Sequence, residues 1–141
     1  MKNIAVIGAG ISGLFIANLF KRNPNFNITI YEKNSSISLG EGYGVQLSVN
    51  SIKLLNEIGF KKLHNKEKFN PEKINFYLND TANKICELDI TDFNLKDCKY
   101  TTLKRSSLIN FLKKDLEDLI MTGYNISKID QQDKQIKLSF E

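Results

Sequence analysis

Apolar residues near the start of the chain fall into two short blocks. Ile4-Ala5-Val6-Ile7 is a continuous run with the length and type of a buried parallel strand. Asn27-Ile28-Thr29-Ile30-Tyr31 alternates and closes on Glu32, which predicts a second strand. Between them Leu14, Ala17, Asn18 and Lys21 follow helical spacing. That helix stops at Asn23-Pro24, since proline cannot continue it.

The later pattern is more mixed. Ser48 or Asn50 caps a helix running to Ile58, with Ile52, Leu55 and Ile58 on one face and Gly59 as its stop. Phe60 to Asn70 is lysine-rich and reads as irregular or weakly helical. Ile74–Leu78 and Lys84–Leu88 alternate on either side of a polar turn, Asn79-Asp80-Thr81-Ala82-Asn83, which predicts an antiparallel hairpin. Asp92 to Asp97 reads as a loop, and Tyr100–Leu103 as a short strand leading into Arg105. Ser106 or Ser107 then caps a helix whose stripe, Leu108, Leu112, Leu116 and Leu119, ends at Gly123. Asn125–Asp130 and Gln135–Phe140 read as two strands joined by the turn Gln131-Gln132-Asp133-Lys134. No composition shift marks a linker, so residues 1–141 are expected to form one α/β domain.

Three glycines sit between the first strand and the first helix: Gly8, Gly10 and Gly13, at GxGxxG spacing. Each has a separate task in a strand–turn–helix that holds a dinucleotide. Gly8 turns the chain out of the strand, Gly10 lets a pyrophosphate approach the backbone, and Gly13 lets the helix lie close on the strand. Unpaired N–H groups at the helix start then face the phosphates, and Ser12 adds a hydroxyl there. Glu32 follows Gly13 at the distance where a carboxylate meets the ribose hydroxyls and repels a 2′-phosphate. Placed between a strand and a helix, this motif predicts a site for an adenine dinucleotide, FAD or NAD.

Composition narrows the class. Hydrophobic residues at 41% and charged residues at 26% are those of a globular domain. No apolar run approaches a membrane span, and the apolar N-terminus is taken up by the strand, so no signal peptide is expected. The net charge is +4 and the pI about 9.0, but the lysines are scattered among acids, which argues against nucleic acid as a partner. Cys86 and Cys98 lack metal-ligand spacing, which points to reduced thiols and a cytoplasmic location. His64 is the only histidine, so neither a His-centred triad nor a multi-histidine metal site is expected.

Two further features carry chemistry. Gly40-Glu41-Gly42-Tyr43-Gly44 is either a flexible connection or a loop whose backbone passes close to a flat ligand. Only two of the 20 basic residues are arginine, Arg22 and Arg105. Arg105 stands at a strand–helix junction, either as an exposed helix start or because a phosphate or flavin edge needs its planar, multi-donor fork.

The order of these motifs resembles the N-terminal part of the single-component FAD-dependent monooxygenases, of the para-hydroxybenzoate and salicylate hydroxylase type. The resemblance rests on the GxGxxG with Glu32, on Gly42-Tyr43-Gly44-Val45-Gln46-Leu47-Ser48-Val49-Asn50, and on Leu103-Lys104-Arg105-Ser106-Ser107-Leu108. The middle stretch is similar to the family's GAGIQLSPN, with Val49 in place of its proline. The resemblance implies a Rossmann-like, glutathione-reductase-like FAD/NAD(P)-binding fold with a βαβ start and an added antiparallel hairpin. It implies that Gly8, Gly10, Ser12 and Gly13 hold the pyrophosphate and Glu32 the adenosine ribose. Lys33 stands where many members carry arginine near the adenosine. Gly44 and Val45 would border the flavin, Arg105 would reach the central phosphate or ribityl region, and the backbone of Ile126 would border adenine.

The family reaction is NAD(P)H reduction of FAD, capture of O2 as a flavin C4a-hydroperoxide and hydroxylation of a small aromatic substrate. The family's later Ala-Asp-Gly and Gly-Asp motifs and its substrate sheet do not follow within these residues. The chain is therefore expected to be an N-terminal portion without the second half of the cofactor site, inactive alone. No catalytic acid or base is assigned. Two other readings stay open, an FAD- or NAD-linked dehydrogenase or reductase and a non-enzymatic dinucleotide-binding module.

Overall fold

The computed structural model describes residues 1–40, 42–133 and 135–141. Glu41 of the glycine-rich loop and Lys134 of the final turn lie outside the described residues. In chain order the elements are β1 (Lys2–Ile7), α1 (Ile11–Phe20), β2 (Phe26–Glu32), β3 (Gly44–Leu47), α2 (Val49–Glu57), β4 (Lys68–Phe69), β5 (Lys73–Tyr77) and β6 (Lys84–Asp89). Then come β7 (Thr101–Lys104), α3 (Arg105–Lys113), β8 (Ile120–Thr122), β9 (Ile126–Gln132) and β10 (Gln135–Phe140). The chain forms two compact units, Met1–Glu41 with Leu108–Glu141, and Gly42–Ser107.

In the first unit β1 pairs in parallel with β2, from Lys2 opposite Phe26 to Ile7 opposite Tyr31. The other edge of β2 takes β8, also in parallel, giving the order β1-β2-β8. Alternation puts Ile28 and Ile30 of β2 in the core with Val6 of β1, while Asn27 is exposed. Leu14 and Ala17 of α1 and Leu108, Ile109 and Leu112 of α3 are buried as well. Each such Leu or Ile contributes about 1.5–3 kcal/mol by leaving water. Asn18 ties the two helices together, its Nδ2 donating to the carbonyls of Leu14 at 2.9 Å and Leu112 at 2.7 Å.

The third parallel strand departs from the sequence reading. The helix predicted to run to Gly123 ends at Lys113; a 3-10 turn over Glu117–Leu119 and then β8 follow. Leu116 and Leu119 keep helical spacing with Leu112, yet Leu116 is buried in a turn. A three-residue strand is too short to show alternation. The helix start differs too, because Arg105 is already helical and Ser106 and Ser107 lie within its first turn rather than capping it. In the antiparallel β9–β10 pair, Gln131 and Gln132 continue β9, so the turn is shorter than predicted. Tyr31, Tyr124 and Phe140 form an aromatic cluster, with centroids 4.8 Å apart for Tyr31–Phe140 and 5.2 Å for Tyr124–Phe140.

In the second unit β7 lies between β3 and β4, antiparallel to both. Ile52 and Leu55 of α2, Phe60 and Leu103 are buried in it. The hydroxyl of buried Thr101 is satisfied, accepting from Asn70 Nδ2 and donating to the carbonyl of Lys99, both at 2.8 Å. The predicted hairpin is present as β5 and β6, and His64 is exposed. On this hairpin Glu87 accepts from Lys73 at 2.6 Å and also from Lys84. Those bonds, that from Lys73 first, hold the Glu87 carboxyl below the usual carboxylate range and raise the Lys73 ammonium.

Candidate dinucleotide-binding site

The glycine loop begins where the β1–β2 ladder ends. Gly8 N–H donates to the Tyr31 carbonyl at 2.7 Å, and Gly8 then takes a φ of +91°, a conformation that favours glycine. This turn carries the next amide away from the ladder. Ala9 is only 2% exposed, and its N–H finds a partner in a side chain: it donates to Glu32 Oε2 at 2.8 Å. The other carboxylate oxygen, Oε1, accepts from Asn34 N–H at 3.0 Å. The Glu32 carboxylate is thus held between the glycine loop and the end of β2.

Gly10 is the N-cap of α1, with an ordinary φ of −79°. A Cβ placed on it would meet nothing within 4 Å. Neither its backbone nor its protein neighbours demand glycine, and the space in front of it suits an approaching ligand. Gly13 is the opposite case, because a Cβ there would lie 2.0 Å from the Gly8 carbonyl oxygen. Glycine at 13 is what lets α1 sit against the loop. Ser12 is exposed in the first turn of α1, and no acidic side chain occupies that turn. The free N–H groups of that turn and the positive end of the helix dipole favour an anion.

The end of β2 is tied to the segment after β8. Tyr124 N–H donates to the Glu32 carbonyl and Gly123 N–H to that of Asn34, both at 2.9 Å. Ile126 opens β9 two residues later, opposite Phe140. Gly8, Gly10, Ser12, Gly13 and Glu32 therefore gather at one end of the parallel sheet, with Lys33 next to Glu32 in the chain and Ile126 tied in through Tyr124. Ala9 and Tyr124 act here through backbone amides, so their side-chain identities carry no signal of it.

Gly44, Val45 and Arg105 belong to the second unit. Gly44 stands opposite Lys104 and Val45 opposite Leu103. Arg105 N–H donates to the Tyr43 carbonyl at 3.4 Å, and a Cβ on Gly42 would lie 3.2 Å from Arg105 Cδ. Gly42 thus lies against the Arg105 side chain, Gly44 begins β3, and Tyr43 between them is 99% exposed. Among the described residues no helix is long and apolar enough to cross a membrane, and no group of three His, Cys, Asp or Glu is placed to hold a metal ion.

Residues 6–44 match the family model of the NAD(P)-binding Rossmann-like domain. No curated protein is significantly similar in sequence. Among solved structures, a variant of HpxO from Klebsiella pneumoniae complexed with FAD is similar over 99% of this chain and 36% of its own length, with a TM-score of 0.82 and 15% identity. HpxO complexed with FAD and uric acid is similar over 98% of this chain and 35% of its own, with a TM-score of 0.80 and 16% identity. The 2,6-dihydroxypyridine-3-hydroxylase of Arthrobacter nicotinovorans is similar over 98% and 33%, with a TM-score of 0.76 and 18% identity. The chain thus spans about a third of the length of these structures. Residues 6–44 are thus similar to an NAD(P)-binding Rossmann-like domain, and the α/β fold of the chain is that of about a third of these solved structures.

Proposed function

We propose that residues 1–141 form an FAD-binding domain, the N-terminal portion of a flavin-dependent aromatic-ring monooxygenase. The observation that carries this reading is the open space before Gly10, at the start of a helix whose loop is held by Glu32. A pyrophosphate there would take the N–H groups of the first turn and the Ser12 hydroxyl, while Glu32 keeps lone pairs for the ribose hydroxyls. We assign Lys33 and the Ile126 backbone to the adenosine end, and Gly44, Val45 and Arg105 to the flavin end. Bound FAD would supply hydride acceptance and O2 chemistry; the residues named here bind and orient it.

For the whole enzyme this reading gives NAD(P)H and O2 as co-substrates and a small aromatic ring as substrate. HpxO with uric acid and the dihydroxypyridine hydroxylase support that class. Cys86 and Cys98 are free thiols, which fits a cytoplasmic enzyme. The match of residues 6–44 to an NAD(P)-binding model favours a second reading, an NAD-linked enzyme. Titrating the chain with FAD, ADP and NAD+ separates the two. Saturable binding of FAD and ADP with weaker NAD+ is expected, and uptake of NAD+ in preference to FAD would overturn the FAD reading.

A further inference from the structure

We infer that Glu32 is a positioning residue for the phosphate loop as well as a ribose ligand, an inference that rests on the dinucleotide reading above. The backbone ladder between β1 and β2 ends with Gly8 N–H on the Tyr31 carbonyl. Ala9 is next in line, and its amide is buried with no strand partner left to take it. An unpaired buried N–H costs about as much as a lost hydrogen bond. Glu32 prevents that loss by extending the ladder through its side chain, with Oε2 on the Ala9 amide at 2.8 Å.

The geometry also holds Glu32. Asn34 N–H engages Oε1 at 3.0 Å, and Tyr124 N–H engages the Glu32 carbonyl at 2.9 Å. Bonds to an ionised acceptor are the stronger kind. These bonds hold the loop so that Gly10 and the first turn of α1 are presented together. This has two consequences. Glu32 raises affinity for ligands that have phosphates but no ribose hydroxyls. It also excludes a 2′-phosphate, since swinging the carboxylate aside would strip the Ala9 amide of its partner.

The test compares ADP with 2′,3′-dideoxy-ADP on the full chain as wild type, Glu32→Ala and Glu32→Gln, by calorimetric titration. The amide exchange rate of Ala9 is measured without ligand. Loss of the clamp in Glu32→Ala is expected to weaken dideoxy-ADP about tenfold or more, the factor set by one charged hydrogen bond, and to speed Ala9 exchange. Glu32→Gln keeps an acceptor oxygen and is expected to restore much of the Ala9 protection. Dideoxy-ADP affinity equal in wild type and Glu32→Ala, with ADP alone weakened, would reduce Glu32 to a ribose ligand and overturn the inference. Wild type that binds neither nucleotide would overturn the dinucleotide reading itself, which keeps the two failures distinct. Unprotected Ala9 in wild type that still binds ADP would also refute the clamp.

Discussion

Gly10 and Gly13 are three residues apart, and their substitutions are expected to fail in opposite ways. A methyl at position 13 collides with the Gly8 carbonyl oxygen, backbone against side chain, so Gly13→Ala should cost about 3 kcal/mol or more. A methyl at position 10 points into open space, so Gly10→Ala should cost about 1 kcal/mol, the difference between glycine and alanine at an N-cap. Nucleotide affinity should nonetheless fall about tenfold or more in Gly10→Ala, because the methyl occupies the ground the pyrophosphate needs. Thermal unfolding and ADP titration of both variants check this. A Gly10→Ala protein with wild-type ADP affinity would place the phosphates elsewhere. Arg105 is tested in parallel. Arg105→Lys keeps the charge and loses the fork, and should lower FAD affinity by about 1.5–3 kcal/mol while leaving ADP unchanged. An equal effect on both ligands would remove Arg105 from the flavin end.

Among the elements, those marked by an apolar run, by alternation or by a breaking residue were legible in the chain, and the short strand β8 was not. β1 and β2 follow from their apolar runs, and α1 is bounded by the turn at Gly8, which takes a φ of +91°, and by Pro24, which cannot continue a helix. β8 was hidden because Leu116 and Leu119 extend the leucine spacing of α3 past its true end at Lys113. The tie between Ala9 and Glu32 was illegible for another reason, as a backbone donor leaves no mark on residue type. The β5–β6 hairpin was legible from alternation, and its exposed triad of Lys73, Glu87 and Lys84 gives a pH prediction. Glu87 titrates below its ordinary value of 4.5 and Lys73 above its ordinary 10.5. The contribution of the pair is therefore full between those values. It is lost as pH falls through the lowered Glu87 value, and again as pH rises through the raised Lys73 value. Amide exchange at Ile74 and Leu88 should be faster in Glu87→Gln than in wild type at neutral pH. That difference should shrink in high salt and vanish in acid. A difference that persists in acid would mean the triad is not its source.

At the scale of the whole molecule, the chain spans about a third of the structures it resembles. An adenosine-end site of this kind should hold FAD mainly through its ADP portion, at micromolar strength or weaker, on the order of 8 kcal/mol or less. No aromatic hydroxylation is expected from these 141 residues alone. The account is tested most directly by titrating the chain into FAD, following flavin fluorescence, and then adding ADP or 2′-phospho-ADP as competitor. Saturable FAD binding, displaced by ADP at comparable concentration and resistant to the 2′-phosphorylated analogue, is the predicted result. No saturable binding at millimolar FAD, or equal displacement by the two competitors, would contradict it.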